Sequence, residues 1–221
     1  MRLSRTLTSL TLAAVCLGFA ATGAGSISAS ATERQQYVHP ASTATVNVAS
    51  TSTTKYVFPV DAKNVSWHKT HSGYKATDIF AACGSRVVAT TTGVILEVSR
   101  VDKYKKGMKD GPYNGGKFVS ILGDDGVRYY GSHLKSVTKG IKAGVRVKAG
   151  QLVGKVGHTG NASGVCHLHY GISPACAKTG DWKVRRGVVW PYSYLASWRK
   201  GNQKSPVAAV KKWNKTHNCK A

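Results

Sequence analysis

Acid is what this chain has least of. Only 9 Asp and Glu stand against 32 Lys and Arg in 221 residues, a formal charge of +23. One-sided charge of that size draws a protein towards polyanions and exceeds what solubility asks for. Cysteine is sparse as well, and no two of the five cysteines form a CxxC pair, which argues against a zinc site built on thiolate knuckles. There is no HExxH, so no helix-borne glutamate stands ready as base for a metal-assisted hydrolysis. Beyond residue 31 no run is apolar enough to span a bilayer. No repeat of solenoid type recurs.

The start of the chain looks like an export address. Arg2 and Arg5 precede a largely apolar stretch from Leu7 to Ala24, and Ala29-Ser30-Ala31 has the small-x-small pattern of a signal-peptidase site, so residues 1–31 are expected to be removed. Val15 before Cys16 argues against lipid attachment. Cleavage takes away two arginines and no acid, leaving 30 basic against 9 acidic residues, a formal +21. For an exported protein the partners of such a surface are anionic wall polymers or membrane surfaces rather than nucleic acid. Four cysteines remain after cleavage: Cys83, Cys166, Cys176 and Cys219. An even number in an exported chain points to two disulfides. The short loop between Cys166 and Cys176 favours that pair, with Cys83–Cys219 as the second.

Residues 32–54 are rich in Ser, Thr and Ala without helical period and read as a flexible linker or pro-segment. From Tyr56 to about residue 175 the chain consists of short β-branched runs bounded by glycine, such as Gly93-Val94-Ile95-Leu96-Glu97-Val98 and Lys117-Phe118-Val119-Ser120-Ile121-Leu122. These are strand signals, and Asp124-Asp125-Gly126 marks a hairpin turn. A mainly β domain over residues 55–175 follows, long enough for a real core. The basic, Gly-rich stretch Lys103 to Gly116 breaks the pattern and reads as a functional rim loop. Residues 176–221 form a basic, aromatic C-terminal extension. Short helices are expected over Pro191–Trp198 and Ser205–Trp213, their aromatics packed on the sheet.

The chemistry centres on Gly164-Val165-Cys166-His167-Leu168-His169-Tyr170. In a strand His167 and His169 share one face while Leu168 takes the other. Partners lie upstream in His71, Asp78 and His133. Catalytic zinc commonly takes three N and O ligands and leaves one position to water. His71, Asp78 and one of the paired histidines meet that need, leaving the other and His133 beside them. Asp102, Asp110, Asp124 and Asp125 occur in turn-like contexts and read as solvated.

Further motifs join these in order: Gly84-Ser85-Arg86-Val87-Val88-Ala89, Tyr130-Gly131-Ser132-His133-Leu134, Val147-Lys148-Ala149-Gly150-Gln151-Leu152-Val153-Gly154 and Gly157-His158-Thr159-Gly160. The ordered set resembles the lysostaphin-type (LytM-like) zinc metallopeptidases, which are peptidoglycan endopeptidases, over about Phe58 to Ser173 and in a secreted, actinobacterial-looking branch. The resemblance implies a largely antiparallel β-sheet domain with one zinc ion in a groove between loops. It puts the metal ligands at His71, Asp78 and His169 and the non-ligand catalytic histidines at His133 and His167. It also implies a secreted, wall-associated and monomeric endopeptidase that cuts peptide stems or cross-bridges of peptidoglycan. The alternatives are a non-catalytic wall-binding or regulatory module of the same fold and an exported polyanion-binding protein. Six residues, Ser72 to Thr77, separate His71 from Asp78, more than the family's usual spacing, which leaves His68 as a rival ligand. That spacing is also similar to the D-Ala-D-Ala metallopeptidases, but no glutamate stands shortly before His169. The 147–154 hairpin resembles biotinyl and lipoyl carrier domains in architecture alone.

Overall fold

Glycine and β-branched residues alternate along this chain so that strands are short and turns frequent. The computed structural model describes residues 54–178 and 180–221. The expected signal segment, Cys16 and all of the expected linker but Thr54 lie outside them. Eleven strands come first among the described residues: β1 (Val60–Asp61), β2 (Ser66–Trp67), β3 (Ala76–Phe80), β4 (Arg86–Val88), β5 (Gly93–Ser99), β6 (Phe118–Gly123), β7 (Val127–Ser132), β8 (Leu134–Val137), β9 (Arg146–Val147), β10 (Leu152–Val156) and β11 (His167–Pro174). Three helices follow, α1 (Trp182–Arg185), α2 (Tyr192–Arg199) and α3 (Val207–His217). No helix among the described residues is long and apolar enough to cross a membrane.

The strands form a seven-stranded sheet, ordered β2-β3-β11-β7-β6-β5-β9, and a four-stranded sheet, ordered β1-β4-β10-β8. Every paired neighbour is antiparallel, so the mainly β, antiparallel architecture stands as expected. The hairpin at Asp124–Gly126 joins β6 to β7, with Gly126 at φ 77, the left-handed region that glycine adopts without steric cost. Asp125 departs from its solvated reading. Its carboxylate accepts the Val127 amide and the hydroxyls of Tyr56 and Tyr129, so it ties the turn to the core.

One apolar cluster draws on both sheets, with Ile79, Ile95, Val87, Leu134, Val153, Leu168 and Ile172 all buried. Leu168, Tyr170 and Ile172 face it from β11, which leaves the alternate residues His167, His169, Gly171 and Ser173 on the opposite face. Helix α2 falls within a residue of expectation, α3 starts two residues later and ends four residues later than expected, and both pack through their aromatics. Trp198 is buried and stacks on Tyr56 at 5.4 Å.

The disulfide pairing is corrected. The bonds are Cys83–Cys166 and Cys176–Cys219, with Cα separations of 5.3 and 5.9 Å. Cys166 and Cys176 flank the two ends of the eight-residue strand β11, a span of about 26 Å. A disulfide needs its Cα atoms within about 7 Å. Cys83 instead follows β3, whose Phe80 pairs with His167 at the start of β11, so the bridge to Cys166 staples those neighbouring strand ends. With all four thiols bonded, no cysteine among the described residues is left to ligate zinc.

Candidate metal centre and its groove

Register builds the centre. In the antiparallel pairing of β11 with β3, His169 lies directly opposite Asp78. Cross-strand partners on one face hold their Cβ atoms about 5 Å apart, so imidazole and carboxylate meet without any loop to position them: His169 Nδ1 is 3.1 Å from Asp78 Oδ1. His71 reaches in from the turn before β3, its Nε2 3.9 Å from Asp78 Oδ2. One donor atom from each of the three residues lies within 4.8 Å of the others. The rival His68 is exposed, its ring against Phe80 at 5.1 Å, and is not part of this cluster.

On the other side of β11, His169 pairs with Ser132 of β7. The next residue, His133, is where the chain leaves the seven-stranded sheet for the four-stranded one. It takes φ 62, a left-handed conformation in which histidine is over-represented among the few non-glycine residues that adopt it. That turn brings its ring to 4.7 Å from His167 and 5.9 Å from His169. All five expected site residues therefore line one groove of about 340 Å³.

Each histidine is fixed by a backbone carbonyl. His71 Nδ1 contacts Ser72 O at 2.7 Å, His133 Nδ1 contacts Thr159 O at 2.7 Å, and His167 Nδ1 contacts Val165 O at 2.9 Å. His169 is turned the other way, its Nε2 2.9 Å from Arg186 O. A carbonyl oxygen only accepts, so in each case the touching nitrogen carries the proton and, in the neutral ring, the other nitrogen presents a lone pair. Those lone pairs are Nε2 of His71, His133 and His167 and Nδ1 of His169.

The donor set fits zinc. In the neutral ring the lone pair on His169 Nδ1 faces a carboxylate oxygen at 3.1 Å; a proton on that nitrogen or a cation shared with the carboxylate resolves the contact, and the second is what a metal ligand pair supplies. For nitrogen and oxygen ligands at ~2.0–2.1 Å, tetrahedral coordination separates the donor atoms by about 3.4 Å, a spacing bracketed by 3.1 and 3.9 Å. Hydrogen bonds from the far ring nitrogen to a backbone carbonyl are the usual means of orienting ligating histidines.

The electrostatics follow from burial and crowding. Burial works to raise the Asp78 pKa, but the hydrogen bond with His169 and the electrostatic pull of the His169, His167 and His71 imidazoles, felt as those rings take up protons, outweigh it and bring it to about 2. Burial, then repulsion from His169 and His167, holds His133 down at about 3. His71 is lowered by burial and by His169. The groove thus keeps its carboxylate ionised and these two rings neutral at ordinary pH.

With this geometry in view, comparison with known proteins is decisive for the family. Residues 72–180 match the model of Peptidase family M23. This chain contains a peptidase family M23 domain. The L-Ala--D-Glu endopeptidase of Bacillus subtilis is 32% identical over 146 residues, 63% of this chain, which spans 39% of that protein's length. Among solved structures, lytM from Ruminococcus gnavus is 24% identical with a TM-score of 0.52, covering 69% of this chain and 63% of that one. The catalytic domain of lysostaphin from Staphylococcus simulans is 26% identical with a TM-score of 0.44, covering 65% and 90%.

The rim loop lies where expected relative to the M23 groove, with Asp110, Asn114 and Gly115 among its lining residues. Gly116 abuts Thr159 and Gly160 so tightly that a Cβ there would lie 2.4 Å from the Gly160 nitrogen. Sequence reasoning missed the wall that adjoins this loop. Tyr74, Trp182, Arg185 and Arg186 line it, the last three beyond the matched span. Arg185 is buried, its guanidinium 3.0–3.1 Å from both Glu97 oxygens and 4.3 Å from the Phe118 ring centroid. A register shift between Ile95 and Glu97 puts Glu97 opposite Ser120, turning it out of the core towards this arginine. Four-residue α1 is too short for hydrophobic periodicity to reveal. The available signal was Arg185-Arg186-Gly187, basic residues before a glycine at a helix end.

Proposed function

We propose that this protein is a secreted, zinc-dependent endopeptidase that hydrolyses peptide stems or cross-bridges of bacterial peptidoglycan. The observation that carries this most is the convergence of His71 Nε2, Asp78 and His169 Nδ1 on one point, each imidazole held by a carbonyl behind it. The M23 domain supports peptidase chemistry, and the Bacillus subtilis relative, an L-Ala--D-Glu endopeptidase, supports a wall peptide as substrate. In this proposal residues 1–31 direct export, 32–54 form the linker, 55–175 carry the zinc site and 176–221 complete the groove. The excess of basic residues would hold the protein on anionic wall polymers, an attraction that salt weakens.

His71, Asp78 and His169 would hold a single zinc ion, which polarises a peptide carbonyl and draws the pKa of its water towards 7. The remaining groups act around it. His133 is neutral at ordinary pH with Nε2 unprotonated, so it accepts a hydrogen bond from a groove water and orients it. His167 presents Nε2 in the same way, 3.8 Å from Asp78 Oδ1. As the oriented water attacks the carbonyl carbon, one of the two imidazoles would take its proton; the imidazolium formed would stabilise the negative charge on the substrate oxygen and then give that same proton to the leaving amine as the C–N bond breaks. The left-handed backbone at His133 is the sort of strain that active sites retain.

Turbidity loss of purified peptidoglycan tests the proposal, run with wild type, His169→Ala and chelator-treated protein, followed by mass analysis of released fragments. Lysis by the wild type alone, restored after chelation by added zinc and yielding new amino termini, is expected. Lysis that survives both the variant and the chelator refutes it.

A further inference from the structure

The wall contributed by α1 carries two adjacent arginines with different fates. Arg185 is neutralised by both oxygens of Glu97. Arg186 is not. Its guanidinium carbon lies over two rings, 3.8 Å from the Tyr74 centroid and 4.8 Å from that of Trp182. Nη1 makes a single long contact of 3.3 Å to Asp110, a residue exposed on the rim loop. An exposed ion pair of that length is worth little. Nε is buried without an acceptor, and Nη2 has none among the described residues. Nε is out of reach of solvent, so an incoming carboxylate oxygen would be met through Nη2, in a charge-assisted hydrogen bond.

Its place relative to the candidate metal centre fixes what it can reach. The Tyr74 ring lies 4.3 Å from the His71 ring, so no more than about 8 Å separates the Arg186 guanidinium from that imidazole, the reach of two to three residues of extended peptide. Resting on the peptidase reading above, we infer that Arg186 is a specificity-determining residue that binds a free carboxylate of the peptide substrate within two or three residues of the bond cut. The substrate class is thus an acidic stem peptide, such as one whose D-glutamyl residue keeps its α-carboxylate, rather than its carboxamide form. Arg186 lies outside residues 72–180, the span matched by the family model, so this recognition belongs to the extension of this chain. Packing against Tyr74 and Trp182 holds the intrinsically planar guanidinium in place before substrate arrives, which lowers the entropy cost of capture.

Two stem peptides that differ only in D-glutamate against D-isoglutamine test the inference. Their binding to the full-length, zinc-loaded protein is measured by calorimetry, and their kcat/KM by chromatography, for wild type, Arg186→Gln and Arg186→Lys. Wild type should favour the carboxylate peptide. Arg186→Gln should weaken that peptide roughly ten- to a hundredfold, leave the carboxamide peptide within about threefold, and so erase the preference. Arg186→Lys should recover part of it. Zinc content should stay unchanged in both variants, since the contact with His169 is made by the backbone carbonyl. Equal binding of the two peptides by wild type, or an equal loss for both in Arg186→Gln, overturns the inference. If neither peptide is cleaved, the peptidase reading fails for these bonds while the binding comparison still decides the role of Arg186.

Discussion

Gly171 sits two residues beyond His169 on the same face of β11, and the Arg186–Gly187 backbone lies directly on it. A Cβ at position 171 would stand 2.4 Å from Arg186 O and 2.7 Å from Arg186 C. Ordinary contact begins near 3.4 Å, so Gly171→Ala must drive that backbone away by about 1 Å. The same oxygen accepts the His169 Nε2 proton at 2.9 Å. A retreat of that size takes the pair past hydrogen-bonding range and strands a buried N–H, at a cost of about 1–3 kcal/mol. It also frees the ring whose Nδ1 faces Asp78. Loss of such an orienting partner typically lowers metal affinity by ~10–100-fold. The assay is competition for zinc against a chromophoric chelator at pH 7.5. Gly131→Ala is the control on the adjoining strand, because the atoms nearest its Cβ belong to the Leu168 side chain, at 3.1 Å and beyond, and not to backbone. If folded Gly171→Ala binds zinc within twofold of wild type, or Gly131→Ala loses as much, the carbonyl does not position the ligand.

Two other outcomes are expected. His133 is held at about 3 against an ordinary 6.5, so between those values the unfolded chain takes up a proton that the folded chain refuses. The stability this contributes is fully present above pH 6.5 and is lost as pH falls towards 3, by about 1.4 kcal/mol for each pH unit crossed. Asp78, lowered to about 2 from 3.8, loses its contribution as pH falls from 3.8 towards 2, below both pH values compared here. Chemical denaturation of zinc-free protein at pH 7.5 and 4.5 should therefore show a smaller drop for His133→Gln than for wild type, and equal drops would refute the assignment. Glu97→Gln leaves the buried Arg185 charge with a neutral partner and should destabilise by on the order of 3 kcal/mol. A Glu97→Gln/Arg185→Met pair should recover much of this in the same assay, and failure to recover would mean the ion pair is not the cause.

The strand face of the His-x-His stretch was legible because period-two alternation leaves no choice: Leu168 goes to the core and both histidines to the groove. That Asp78 pairs with His169 was not, since register depends on how β3 and β11 lie side by side, which neither segment states alone. The cysteine pairing failed for a related reason. Cys166 and Cys176 stand close in sequence, which favours a short closed loop between them. In the fold the residues between them form the extended strand β11, with Gly171 leaving room for the Arg186–Gly187 backbone. The α1 wall was illegible because four helical residues carry no period. Its arginines blended into a chain that is basic throughout.

Zinc stoichiometry, measured by native mass spectrometry on wild type and five single alanine variants, tests the central claim most directly. One ion per chain is expected in wild type, His133→Ala and His167→Ala, and none in His71→Ala, Asp78→Ala or His169→Ala. Retention of the ion by folded His71→Ala, Asp78→Ala or His169→Ala would contradict the assignment of these three side chains as the metal's protein ligands.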